Sequence, residues 1–152
     1  MPVRERRAFL GGAASAAALT IIPRHGLGGR GRIAPADKVT VACIGVGAQG
    51  TRVMMDFLKE PDIQVVAVCD VNAASSDYVE WNDNELRDKE RTLVSNTGWG
   101  QDWKGPTAGR EPARRLVDAY YAKQSESGTF KGCAAYIDYR ELLVTLATRR
   151  RA

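Results

Sequence analysis

The sequence predicts an α/β fold with a parallel sheet, built β-α-β-α-β-α and carrying a long insertion after the second strand. Three observations predict it. Gly45-Val46-Gly47-Ala48-Gln49-Gly50 is a G-x-G-x-x-G loop lying between a short apolar run and a helical stripe. A second apolar run follows that helix and ends at Asp70, 20 residues beyond Gly50. Further on, another helical stripe leads to a third apolar run and a last helix. The order strand, glycine loop, helix, strand, acid is the fingerprint of a dinucleotide-binding Rossmann unit.

The elements follow in chain order. Lys38 to Ile44 read as the first buried strand. Gly45 permits the sharp turn out of it, Gly47 lets a pyrophosphate approach the backbone, and Gly50 permits close helix packing. Thr51 to Lys59 read as the first helix, with Val53, Met54, Phe57 and Leu58 as its apolar stripe. Its N-terminus offers unpaired N–H groups and a partial positive charge to phosphates. Ile63 to Cys69 read as a strand buried on both faces. Asp70 follows, placed to accept hydrogen bonds from an adenosine ribose and to repel a 2′-phosphate, which favours NAD over NADP. The expected cofactor contacts are therefore Gly45, Val46, Gly47, Ala48, Gln49, Gly50 and Asp70. FAD and S-adenosylmethionine sites share the fingerprint, and a bare glycine turn needs no ligand at all.

Residues 75–110 read as the insertion. It holds Trp81, Trp99 and Trp103, and a charged run from Glu85 to Arg91 that reads as a short solvated helix. The tryptophans either pack the insertion onto the domain or line a substrate or subunit contact. A helix resumes at Glu111-Pro112, with Ala113, Leu116, Val117, Tyr120 and Tyr121 on one face. Cys133 to Ile137 read as the third strand. Asp138 and Glu141 then form a capping box for a helix that buries Tyr139, Leu142, Leu143 and Leu146.

Residues 1–36 read as a leader and linker. Arg4, Arg6 and Arg7 precede an uncharged run, Ala8 to Ile22, and Ala34-Pro35-Ala36 is an A-x-A-like cleavage site. The run falls short of the roughly 20 apolar residues that span a bilayer. Arg6-Arg7-Ala8-Phe9-Leu10 resembles a twin-arginine export core, although Glu5 stands where Ser or Thr is usual. The expected partner is the twin-arginine translocase, and the expected destination is periplasmic or extracellular. Six arginines against one acid give residues 1–36 a charge of +5, so residues 37–152 carry −1 of the chain's +4. The basic balance is thus a targeting signal and no argument for nucleic acid. Cys43, Cys69 and Cys133 are odd in number and lack metal-site spacing, so neither a disulfide framework nor a metal site is expected.

Four stretches together resemble the N-terminal domain of the Gfo/Idh/MocA oxidoreductases: K-V-T-V-A-C-I-G-V-G-A-Q-G-T-R (38–52), V-V-A-V-C-D-V-N (65–72), G-R-E-P-A-R-R-L-V-D-A-Y-Y-A (109–122) and G-C-A-A-Y-I-D-Y-R-E-L-L (132–143). The likeness is to exported members with a twin-arginine leader. It implies NAD(P)-dependent hydride transfer on sugars, sugar acids or cyclitols. It also implies a C-terminal α/β domain whose open sheet covers the substrate and forms a homo-oligomer.

The family's fourth strand, its T-P-D-H-like segment and its E-K-P motif have no counterpart here, and the sole histidine is His25 in the leader. Lys59, Lys89, Lys104, Lys123 and Lys131 read as solvated surface residues, so no catalytic residue is expected. The reading is an N-terminal nucleotide-binding fragment of 37–152, inactive alone, with a frameshift, premature stop or gene-model error near Leu143 to Ala152. The alternatives are a non-catalytic nucleotide-binding or interaction module, or a degenerate product.

Overall fold

The computed structural model describes residues 37–149 apart from Trp81. The leader at 1–36, Trp81 and the end at 150–152 lie outside the described residues. Strand β1 (Val39–Ile44) runs into helix α1 (Ala48–Lys59), and β2 (Ile63–Cys69) follows. Then come α2 (Glu85–Val94), α3 (Arg110–Gln124), β3 (Ala134–Tyr136) and α4 (Tyr139–Arg149). The three strands form one parallel sheet in the order β1-β2-β3. This is one half of a Rossmann sheet, in which the first strand lies beside the second and the third beyond it.

β2 is the middle strand, and Val65, Ala67, Val68 and Cys69 are all buried. Its register with β1 slips between Val41 and Ala42, which pair with Val65 and Ala67 and leave Val66 as an extra residue. A bulge of this kind shifts the alternation of faces. Val65 and Val68 consequently join one core, with Met54, Leu58, Leu116 and Val117, while Ala67 and Cys69 face Leu142 on α4. At the bulge the Val65 N–H donates to Tyr121 Oη at 2.9 Å, so α3 satisfies a polar group inside the fold.

The elements differ from expectation in particular places. Helix α1 begins at Ala48, three residues early, because extended Gly47 is its N-cap and the Thr51 N–H already reaches the Gly47 carbonyl at 2.8 Å. Its buried face is Ala48, Thr51, Met54, Met55 and Leu58. Val53 and Phe57, assigned to the stripe by sequence, point outward and are 45% and 36% exposed. β3 spans only three residues, since the Cys133 N–H turns away to Asp118 Oδ1 at 3.2 Å. Among the described side chains of α4 only Leu142 is fully buried and Leu146 is half-buried, whereas Tyr139 and Leu143 are exposed. The helix packs on β2 and β3, so one residue per turn meets the sheet. Asp138 does cap it, accepting the Arg140 N–H at 2.8 Å.

The insertion is a closed excursion. Ser75 and Ala108 form an antiparallel bridge with reciprocal bonds of 2.8 and 2.9 Å. Its helix α2 is less solvated than its charge implies and runs on to Val94: Leu86 and Glu90 are each 1% exposed. Trp99 and Trp103 pack edge to face, 5.7 Å between centroids, and Arg115 of α3 lies over both rings. The two described tryptophans therefore anchor the insertion to the domain.

Candidate functional site

β1 and β2 run parallel, so the residues that follow them emerge together at the carboxyl edge of the sheet, where open α/β folds bind ligands. The Gly45 N–H donates to the Cys69 carbonyl at 2.8 Å, which sets the start of the glycine loop beside Asp70. Gly45 has φ +79°, a left-handed conformation that disfavours any side chain. A Cβ on Gly50 would collide with the Gly45 carbonyl oxygen. The third glycine thus lets the first turn of α1 close on the loop itself. Val46 is fully buried, and its carbonyl accepts from both Thr51 Oγ1 and the Gly109 N–H at 3.0 Å. Those bonds hold the loop from the helix on one side and from the neck of the insertion on the other.

The sequence-assigned residues divide by role. The side chains of Val46 and Ala48 belong to the core, so only their backbone faces the loop. Gln49 is exposed, and Gly45, Gly47 and Gly50 shape the backbone. Among the described residues no side chain caps α1, and its first turn holds no acid. Its N–H groups and dipole suit an anion. Asp70 continues the ladder through its N–H to the Tyr136 carbonyl at 3.1 Å. Its Oδ1 accepts the Asn72 N–H at 2.9 Å, which orients the carboxylate and leaves its other oxygen without that bond. Arg110 donates to the Asp70 and Val71 carbonyls at 3.3 and 3.0 Å, pinning the turn. This loop, uncapped helix end and half-exposed carboxylate suit a diphosphate flanked by a ribose.

Two further residues at this edge escape sequence reasoning. The Tyr78 ring lies against Gly47: a Cβ built on that glycine would sit 2.8 Å from it. Tyr78 Oη accepts from Asn72 Nδ2 at 3.3 Å. No periodicity or motif marks Tyr78 in the insertion, and Asn72, the last residue of the stretch 65–72, has no role assigned to it by sequence. Arg52 on α1 pairs with Glu80 at 3.2 Å and Glu85 at 3.7 Å, and Glu80 also accepts the Leu86 N–H at 2.7 Å, doing the capping that left-handed Asn84 does not.

Elsewhere the titratable groups read as structural. Burial pushes the Cys43 thiol up to about 11 and the Cys133 thiol up to about 12, so both stay protonated and unreactive. All three cysteines are free. Lys59 and Lys89 form exposed pairs with Asp56 and Glu85. Among the described residues, no group of three His, Cys, Asp or Glu could hold a metal ion, and no helix is long and apolar enough to cross a membrane. A cleft of about 740 Å³ lies between α1 and α2, lined in part by Arg52, Met55, Glu85 and Lys89, and includes neither the glycine loop nor Asp70.

No family model matches the chain, and no solved structure matches it. It is similar to a glycosyl hydrolase family 109 protein of Stenotrophomonas maltophilia (strain K279a), 34% identical over 67 residues. The match covers 44% of this chain and 14% of that relative, so the chain spans a small part of the protein it resembles.

Proposed function

We propose that this chain is the nucleotide-binding N-terminal part of an NAD(P)-dependent oxidoreductase of the Gfo/Idh/MocA type. The relative above is of a Gfo/Idh/MocA-related family, which supports the broad grouping. The observation that carries the reading is the glycine loop joined to an uncapped, acid-free helix end beside Asp70. In this reading the backbone of Gly45 to Gly50 cradles the diphosphate, and the N-terminus of α1 neutralises its charge. Asp70 accepts the ribose hydroxyls, and its charge disfavours a 2′-phosphate, so NAD is the preferred dinucleotide. The bound nicotinamide would supply hydride transfer, and the chain's own residues bind and orient the adenosine half. The carbohydrate-like substrate and the catalytic groups belong to the complete protein, which we propose works as a homo-oligomer.

Export by the twin-arginine translocase into the periplasm or beyond is part of the proposal. That route carries folded proteins, so a cofactor made in the cytoplasm would be bound before crossing. Cell fractionation after Arg6→Lys and Arg7→Lys tests it: the doubly changed chain should stay in the cytoplasm, and unaltered export would defeat the idea. For binding, calorimetric titration of the full chain with NAD should show one saturable site. Gly47→Val should abolish it, NADP should bind at least about tenfold more weakly, and Asp70→Ala should narrow that gap. Absence of saturable binding to the natural chain would sink the reading.

A further inference from the structure

The Tyr78 ring rests on the glycine whose missing side chain makes room for a diphosphate. A Cβ on Gly47 would lie 2.8 Å from Tyr78 Cε1, 3.1 Å from Cζ and 3.2 Å from Oη. The space above Gly47 is therefore filled by the phenol. We infer that Tyr78 is a displaceable plug of the diphosphate cradle, occupying it in the ligand-free chain and swinging aside when a dinucleotide enters. This deepens, and rests on, the proposed nucleotide-binding role.

Two features make the ring movable without unfolding its surroundings. The half-buried ring rests on the edge of the core without being enclosed by it, and among the described residues its Oη has one long bond, 3.3 Å, from Asn72 Nδ2. The residues around it, 77–80, lie in neither helix nor strand, and Val79 is 91% exposed. The ends of the segment are fixed. Ser75 is bridged to Ala108, and Glu80 is bonded to Arg52 and to the Leu86 N–H. A short stretch between two anchors can thus rotate one side chain while the insertion stays in place. The thermodynamic consequence is a lowered apparent affinity, because only the fraction of molecules with the cradle clear can bind.

Calorimetry with NAD on the full chain and its variants tests the plug. Tyr78→Ala should bind about tenfold tighter than the natural chain, the factor expected if the ring is seated in roughly nine molecules of ten. Tyr78→Leu, a second variant that keeps apolar character with less reach, should shift the same way. Tyr78→Phe keeps the ring and should stay within about twofold of the natural value. Unchanged or weaker binding by the Ala and Leu variants, or a clear loss in the Phe variant, overturns the plug while leaving the nucleotide site standing. No saturable binding by the natural chain or by any folded variant overturns both.

Discussion

Glu90 shows at the scale of one residue how packing reverses a surface expectation. Read as part of a solvated charged run, it is 1% exposed on α2. Burial, outweighing the bond from Trp99 Nε1 at 3.0 Å and the nearby Arg87 charge, raises its carboxyl to about 7; Glu80 adds to the rise. A folded pKa above the ordinary 4.5 means that the protonated form is the one the fold favours. That contribution is fully present below about pH 4.5 and is lost as pH rises through about 7. The natural chain should therefore lose roughly 3 kcal/mol of stability from this group across the window. Glu90→Gln keeps an acceptor for Trp99 and removes the titration. Urea denaturation should find Glu90→Gln more stable than the natural chain at pH 8 and similar to it at pH 4.5. Parallel pH profiles for the two would refute the assignment.

Elements are where sequence periodicity and packing part company. On α1 the stripe read from sequence includes Val53 and Phe57, but the helix is rotated so that Thr51, Met54, Met55 and Leu58 face inward. The cause is the helix on its far side: α1 packs against α2 and α3 as well as β1 and β2, so a small Thr and a flexible Met meet the core. Met54→Ala should cost about 2–5 kcal/mol in chemical denaturation. Val53→Lys should stay within about 0.5 kcal/mol of the natural chain. Equal costs would show that the stripe read from sequence was right. Burial of β2 on both faces was legible because its apolar run barely alternates. The bulge at Val66 was not, since it depends on the Tyr121 phenol supplied by a helix more than fifty residues away.

At the scale of the whole molecule, β1 is an edge: among the described residues, β2 is its sole strand neighbour. Val39 and Ile44 on it are 59% and 57% exposed. An open apolar edge with unpaired backbone groups recruits other chains. Sedimentation of the full chain should show association that grows with concentration, and Val39→Lys with Ile44→Lys should suppress it. A concentration-independent monomer in both would show that this edge attracts nothing.

The parallel α/β class, the strand–glycine–helix–strand order and the place of Asp70 were all determined by sequence alone. They rest on local signals: apolar runs bounded by glycine, helical spacing and a fixed count from Gly50 to Asp70. Tertiary structure alone decided that Tyr78 lies on Gly47, that Glu90 is buried and that Leu143 is exposed. It also decided that Gly50 closes on Gly45 and that the insertion is pinned at Ser75 and Ala108. Each of these depends on which distant element covers a residue. Burial and contact are properties of pairs of elements, whereas spacing along the chain reports on one element at a time.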